Sequence, residues 1–108
     1  VRVCVQPGDD LGNVLAQVVD GGALQVSDVE SALVLNTDYK VAFAYAVNNF
    51  ASVANGGTVT TDSVGTIPTV DRITVGCEFN VEQTFGTISS IRYYAARLAN
   101  ATLQGLTS

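Results

Sequence analysis

The chain has 108 residues, of which 47% are hydrophobic and 14% charged, and its net charge at pH 7 is −5. This length allows one domain at most. The composition excludes intrinsic disorder, because disordered chains combine few apolar residues with high charge. Seventeen valines and eleven threonines favour strands, since β-branched side chains suit a pleated, half-buried surface. We therefore expect an all-β domain.

The charge pattern and the missing residue types exclude several functions. The five basic residues are spread along the chain and form no basic stripe, so we expect neither nucleic acid nor an anionic membrane surface as a partner. The longest apolar run, Val41 to Val47, is far shorter than the roughly twenty residues of a membrane helix. Histidine is absent, which removes the usual general base and imidazole ligands. We expect no metal and no other cofactor.

The first third of the chain predicts short strands separated by turns. Alternating apolar residues indicate strands, and clusters of proline, glycine and aspartate indicate turns. The predicted strands are Arg2–Gln6, Asn13–Val19 and Ala23–Ser27, followed by a short apolar run at Ala32–Leu35. Asp20-Gly21-Gly22 predicts a hairpin between the second and third strands.

The segment Tyr39–Val47 is the strongest predicted strand. One of its faces carries large side chains, and the other carries Lys40 and three alanines. This pattern predicts a central strand covered on both sides, with a large element packed over the alanines. Asn48-Asn49 predicts a turn, and Asn55-Gly56-Gly57 predicts a hairpin. The strands predicted beside that hairpin are Phe50–Ala54 and Thr58–Thr61.

The last third predicts a polar loop, two strands and a short helix. The loop is Asp62–Thr69, and the strands are Val70–Gly76 and Gly86–Tyr94, the second with a bulge. The helix is predicted within Leu98–Leu106, capped by Asn100 and anchored by Leu103 and Leu106. A sandwich of two antiparallel sheets is the natural architecture for this order of elements.

Three segments carry a resemblance to a known family. They read YKVAFAYAVNNFASVANGG from residue 39, PTVDRITVG from residue 68 and GTISSIRYYAARLANATLQGLTS from residue 86. Residues 39–108 thereby resemble the second half of concanavalin-A-like, laminin-G-like jelly-roll domains, and are most similar to versions in bacteriophage and prophage structural proteins. The resemblance implies an antiparallel jelly-roll β-sandwich, an Arg97-Leu98 corner and a short C-terminal helix. Ala99 stands where family members carry the Ser or Thr cap of that helix.

The same resemblance, with the absence of methionine, implies the organisation and function of the protein. We expect residues 1–108 to be a single domain and the C-terminal part of a longer polypeptide. We also expect that these 108 residues do not fold alone. The expected function is a non-enzymatic module on the surface of a virion, in a tail fibre, spike or head appendage, that binds host-surface polysaccharide. The alternative is a purely structural decoration or assembly domain that contacts other virion proteins, and exposed apolar surface would favour it. A homo-oligomer is expected in either case.

Four polar residues are the candidate glycan-binding residues, because amides and carboxylates at the rim of a sandwich can bind sugar hydroxyls. They are Asn48, Asn49, Asn55 and Asp62. The alternative explanation is that asparagine occurs in these loops for left-handed turn geometry. Tyr93-Tyr94 is either a sugar platform, with at most one ring exposed, or a pair with one ring in the core.

The segment Glu78-Phe79-Asn80-Val81-Glu82 partly resembles a catalytic motif of glycoside hydrolases. Glycoside hydrolases on a jelly roll place carboxylates at alternate positions of one strand, but Asn80 stands where the middle acid belongs. We therefore expect a solvated loop, and a glycan hydrolase remains the remote alternative. Cys4 and Cys77 lie in strand-like stretches, as two buried thiols or as a disulfide if their Cα atoms lie within about 7 Å.

Overall fold

The computed structural model describes the backbone of residues 2–6, 13–32, 37–70, 77–78, 82–83 and 87–108. Within these residues the protein is mostly β, with one short C-terminal helix. The strands are β1 (Arg2–Gln6), β2 (Asn13–Asp20), β3 (Ala23–Ala32), β4 (Val41–Ala46), β5 (Asn49–Ala54), β6 (Thr60–Asp62), β7 (Cys77–Glu78) and β8 (Glu82–Gln83), and the helix is α1 (Asn100–Thr107). All described strand pairs are antiparallel, in sheets of order β1-β2-β3, β4-β5-β6 and β7-β8.

The first sheet agrees closely with the sequence pattern. β1 has the predicted bounds, β2 is one residue longer than predicted, and β3 continues past Ser27 to Ala32. Asp20 pairs with Ala23, so the β2–β3 hairpin has a two-residue loop. Both loop residues, Gly21 and Gly22, have positive φ, as the hairpin turns that match strand twist require. The glycine pair therefore sets the register of this hairpin.

The second sheet corrects the position of the predicted central strand. Among the described strands, β4 lies at an edge of this sheet and β5 is central. Residues 50–53 of β5 are all buried, whereas only Ala44 of β4 is. β5 pairs on both sides, with β4 and with β6, and this double pairing explains why β5 is the more deeply covered strand.

The two faces of the second sheet pack against different elements. On one face, Phe50 contacts Val18 and Val26 of the first sheet. On the other face, Ala51 and Val53 form a cluster with Ala44 and with Leu103 of α1, which is 3% exposed. The prediction that a large element covers the alanines is confirmed, because Leu103 of α1 packs against Ala44, with Ala42 beside the same cluster.

The predicted strand Gly86–Tyr94 is wrong for its described residues 87–94, which form no strand. All eight are exposed, and no described strand pairs with them. β-propensity alone does not hold a strand in place, since a strand needs a partner to satisfy its backbone. Val70 is also outside any strand. The rest of the predicted strand Val70–Gly76 and the run 33–35 lie outside the described residues.

The cap predicted at Asn100 and the anchor predicted at Leu106 are also wrong. The N-cap residue is Ala99, at the position where the resemblance implies the cap, and the side-chain cap hydrogen bond is lost there. The amide of Leu103 donates to the Ala99 carbonyl at 3.1 Å, so Asn100 already lies in the first turn. Leu106 is 39% exposed, and Thr107 is the second buried residue. Thr107 lies four residues after Leu103, on the same helix face.

Candidate functional site

The polar loop 63–70 is held by side chains at its ends. Asn48 has a φ of 54°, and its backbone N donates to the Gly65 carbonyl at 2.9 Å. Its Oδ1 accepts a hydrogen bond from the Gly65 amide at 3.0 Å. Asp62 Oδ1 accepts from the Val64 amide at 2.9 Å. Two candidate glycan-binding residues therefore use a side-chain oxygen to fix this loop.

The first sheet supplies two more contacts to the same loop. Thr66 Oγ1 donates to Asp20 Oδ2 at 2.6 Å, and the Thr66 amide donates to Gln25 Oε1 at 3.2 Å. The sequence predicts Asp20 only as a turn residue and gives no role to Gln25. No local pattern places either residue against a loop some forty residues further along the chain. We call Asp20, Gln25, Asn48 and Asp62 the loop rim.

Asn49 and Asn55 lie at opposite ends of β5. Asn49 is exposed and pairs with Ala46 beside the loop rim. β5 spans six residues, which corresponds to about 17 Å. The structure therefore places Asn48, Asn49 and Asp62 at one end of the sheet, whereas Asn55 follows the other end of β5. Asn55 cannot share a single small-sugar site with the other three.

Asn55 instead repeats the geometry of Asn48. Its φ is 49°, its backbone N donates to the Lys40 carbonyl at 2.8 Å, and its Oδ1 accepts from the Lys40 amide at 2.9 Å. Each asparagine follows a strand and bonds both backbone groups of one residue in a neighbouring segment. Left-handed turn geometry, the alternative explanation for asparagine at these sites, accounts for both conformations.

The C-terminal residues dock on the same end of the sheet as Asn55. Lys40 Nζ donates to the Ser108 carbonyl at 2.7 Å, and the Gly56 amide donates to Thr107 Oγ1 at 3.0 Å. Gln104 Nε2 donates to the Gly57 carbonyl at 2.7 Å. These contacts and the buried Leu103 hold α1 against the sheet, so the polar groups at this end of the sheet serve to dock the C-terminal helix.

Tyr93 and Tyr94 are both exposed, at 67% and 44%, so the expectation that one of the two rings lies in the core is wrong. Tyr93 shares a side-chain hydrogen bond with Tyr45, whose ring lies 5.9 Å from that of Phe43 between centroids. Burial, charge repulsion from Tyr93 and that hydrogen bond raise the pKa of Tyr45. Tyr93 therefore lies near Tyr45, which pairs with Phe50 next to the last residue pair of β4 and β5.

Residues 87–94 form an exposed apolar segment, which we call the exposed segment. Four of its eight side chains are large, apolar or aromatic, and exposed: Ile88 46%, Ile91 57%, Tyr93 67% and Tyr94 44%. Arg92 is exposed between them. A cluster of exposed large side chains close together in sequence is more typical of an interaction site than single scattered apolar residues are.

The motif Glu78 to Glu82 does not form one strand. Glu78 lies in β7 and Glu82 in β8, and the two residues are paired across an antiparallel ladder. Alternation along a single strand therefore does not describe these carboxylates. Cys4 lies in β1 and Cys77 in β7, as their strand-like context predicts. Among the described residues, no group of three His, Cys, Asp or Glu could hold a metal ion, and no helix is long and apolar enough to span a bilayer.

Comparison with known proteins gives no further assignment. No family model matches the chain, and neither a curated protein nor a solved structure matches it. The case for a function therefore depends on the residues and contacts given above.

Proposed function

We propose that the protein is a non-enzymatic structural module of a phage or phage-like particle, a jelly-roll domain that contacts other proteins of that particle through the exposed segment. The observation that supports this proposal is the exposure of Ile88, Ile91, Tyr93 and Tyr94. The phage setting and the jelly roll come from the sequence resemblance of residues 39–108. The structural alternative becomes the leading one, because exposed apolar surface was the feature expected to favour it.

The energetics of these side chains support a protein contact. Removing apolar surface from water stabilises a complex by about 25 cal/mol for each Å² buried. Isoleucine and tyrosine side chains are large, and tyrosine is enriched among the residues that dominate binding energy at interfaces. A partner that covers Ile91 and Tyr94 gains this energy, whereas a small polar ligand does not.

The loop rim favours glycan binding less. The oxygens of Asn48 and Asp62 already accept hydrogen bonds from backbone amides, and Asp20 Oδ2 already accepts one from Thr66. A sugar hydroxyl that displaced these amides would leave loop 63–70 without its anchors. Breaking such a bond leaves a polar group unsatisfied, which costs about 1–3 kcal/mol if that group is buried.

One observation keeps host-surface polysaccharide binding as the second candidate. Tyr93 presents an exposed ring that lies near Tyr45, and Asn49 is exposed near the same end of β4. An aromatic face beside a polar side chain is a suitable surface for a sugar ring. Binding would be weak at each site and strengthened by many copies on a particle.

Parallel measurements on the full-length protein test the two candidates. Ile91→Asp should reduce its incorporation into particles, measured by quantitative mass spectrometry, while Val64→Asp should not. Val64 is a matched control because it is 72% exposed and lies outside the exposed segment. The second assay measures binding to purified host-surface polysaccharide by calorimetry. Normal incorporation of Ile91→Asp, together with glycan binding that Asn49→Ala removes, would refute the structural role and establish the second candidate.

A further inference from the structure

We propose that the partner of the exposed segment is a second copy of this chain, and that the segment pairs as a strand with an edge of the β1-β2-β3 sheet of that copy. This inference depends on the proposed function, because it names the occupant of the same surface. It is based on the distribution of charge along the chain, on the fact that no described strand pairs with residues 87–94, and on sheet edges that no described strand covers.

Charge is distributed unevenly along the chain. Residues 87–108 contain two basic residues and no acidic residue, a net charge of +2. Residues 1–32 contain five acidic residues and one basic residue, a net charge of −4. Residues 33–86 contain five acidic and two basic residues, a net charge of −3. Strands β1, β2 and β3 contain three of the acidic residues within 1–32, Asp20, Asp28 and Glu30, and one basic residue, Arg2, a net charge of −2. The C-terminal segment of one copy is therefore complementary in charge to the first sheet of another.

Of the two basic residues in the C-terminal segment, Arg92 is exposed to a partner, whereas Arg97 is partly buried. No described residue forms an ion pair with Arg92, whose side chain is exposed. Arg97 Nη1 donates to the Leu98 carbonyl at 2.5 Å, and its Nε is buried without a hydrogen-bond partner among the described residues. Paired opposite charges are favourable at an interface, and they set the orientation of the partners and the rate of encounter.

The backbone of the exposed segment is suited to strand pairing. Ile91 and Tyr93 share one face in an extended conformation, and Ile88 and Tyr94 share the other. A strand with apolar residues on both faces is typical of a position covered on both sides. Strand addition supplies the backbone hydrogen bonds that this segment lacks, and it selects partners through alternate side chains.

The β1-β2-β3 sheet is the acceptor that the charges favour. Its edge strands are β1 and β3, and in the described chain each pairs only with β2. β3 is the longest described strand, with ten residues, and its sequence contains Asp28 and Glu30. A sheet edge of this length with no described strand beside it is a template for an incoming strand. The edge strands of the second sheet, β4 and β6, are shorter and together contain one acidic residue, Asp62.

Sedimentation equilibrium of the full-length protein tests the inference, with circular dichroism to verify that each variant folds. We expect concentration-dependent self-association that weakens three- to tenfold between about 50 mM and about 500 mM NaCl, as local charge attraction is screened. The net charge of −5 alone would give the opposite trend, because salt screens repulsion between copies. Constant or tighter association at high salt overturns the charge argument.

Variants in the exposed segment identify the contact. Arg92→Glu should weaken association about tenfold at low salt, because it replaces an attraction with a repulsion of similar size. Arg92→Lys should stay within about twofold of the parent. Ile91→Asp should abolish association, whereas Val64→Asp adds the same charge outside the segment and should preserve it.

The failure of this inference can be distinguished from the failure of the proposed function. A protein that stays monomeric up to millimolar concentration overturns self-association. If Ile91→Asp still reduces incorporation into particles, the partner is a different particle protein and the proposed function stands. Self-association that is equally strong in Ile91→Asp and Val64→Asp also overturns the inference, because the contact then lies outside the exposed segment.

Discussion

Replacing Asn48 separates its two structural roles, which are its left-handed backbone and its side-chain acceptor. Asn48→Ala loses both, since alanine tolerates a φ of 54° poorly and cannot accept the hydrogen bond from Gly65. Asn48→Gly loses only the acceptor, because glycine adopts positive φ freely. Asn48→Asp retains both features. The three variants should therefore differ in stability in a fixed order.

The magnitudes follow from the contacts of Asn48. The left-handed conformation costs about 1 kcal/mol in alanine relative to glycine or asparagine. Loss of the acceptor leaves the Gly65 amide in a buried residue and costs about 1 to 2 kcal/mol. We expect a loss in the free energy of unfolding of about 2 to 3 kcal/mol for Asn48→Ala and about 1 to 2 kcal/mol for Asn48→Gly. For Asn48→Asp we expect less than about 0.5 kcal/mol.

Urea denaturation followed by circular dichroism measures these differences, with Asn49→Ala as the neighbouring exposed control, expected within about 0.5 kcal/mol of the parent. If the alanine and glycine variants of Asn48 have equal stability, the left-handed conformation has no energetic role. If Asn48→Asp is as unstable as Asn48→Ala, the acceptor role is refuted. Substitution of Asn48 is therefore unsuitable as a test of glycan binding, because it alters loop 63–70 whether or not a glycan binds.

Three further substitutions or titrations test the packing and the electrostatics. In urea denaturation, Leu103→Ala should lower the free energy of unfolding by about 2 to 4 kcal/mol, because the side chain is buried against β5. The control Leu106→Ala should lower it by less than about 1 kcal/mol. Equal losses of stability in the two variants would refute the orientation of the helix. Folding raises the pKa of Tyr45, so this group stabilises the folded protein fully below the ordinary tyrosine pKa of 10.0. That stabilisation is lost as the pH rises through the higher pKa of the folded state. Titration followed by tyrosine absorbance should show one tyrosine that ionises above the ordinary pKa, and the absence of such a tyrosine would contradict this prediction. Gly56→Ala should destabilise more than Gly21→Ala, because both have positive φ but only Gly56 would place a Cβ 3.1 Å from Ser108; thermal melts giving equal shifts would refute the docking of the C-terminus.

Local patterns predicted most of the first sheet and the covered face of β4. The bounds of β1, the glycine turn after Asp20 and the covered alanine face of β4 all follow from residues that are adjacent in sequence. Such features depend on periodicity and turn chemistry, which a short segment carries within itself.

Features that depend on distant partners could not be predicted in the same way. Residues 87–94 have the composition of a strand, but a strand also needs a neighbour, and no described strand pairs with this segment. The loop rim joins Asp20 and Gln25 to Thr66 across more than forty positions. The helix includes Asn100, the residue predicted to cap it. Its position depends on the packing of Leu103 against the sheet, which the local sequence does not show.

The docking of α1 also bears on the chemical ageing of the chain. Asparagine is thermolabile, and Asn-Gly pairs are especially prone to deamidation, in which the glycine nitrogen attacks the asparagine side chain and expels ammonia. In Asn55-Gly56 that nitrogen donates to Thr107, and the Asn55 amide group is held by Lys40. The terminal helix therefore shields the one Asn-Gly pair of the sequence. Thr107→Val should accelerate the conversion of Asn55, followed by mass spectrometry, and an unchanged rate would show that the helix gives no protection.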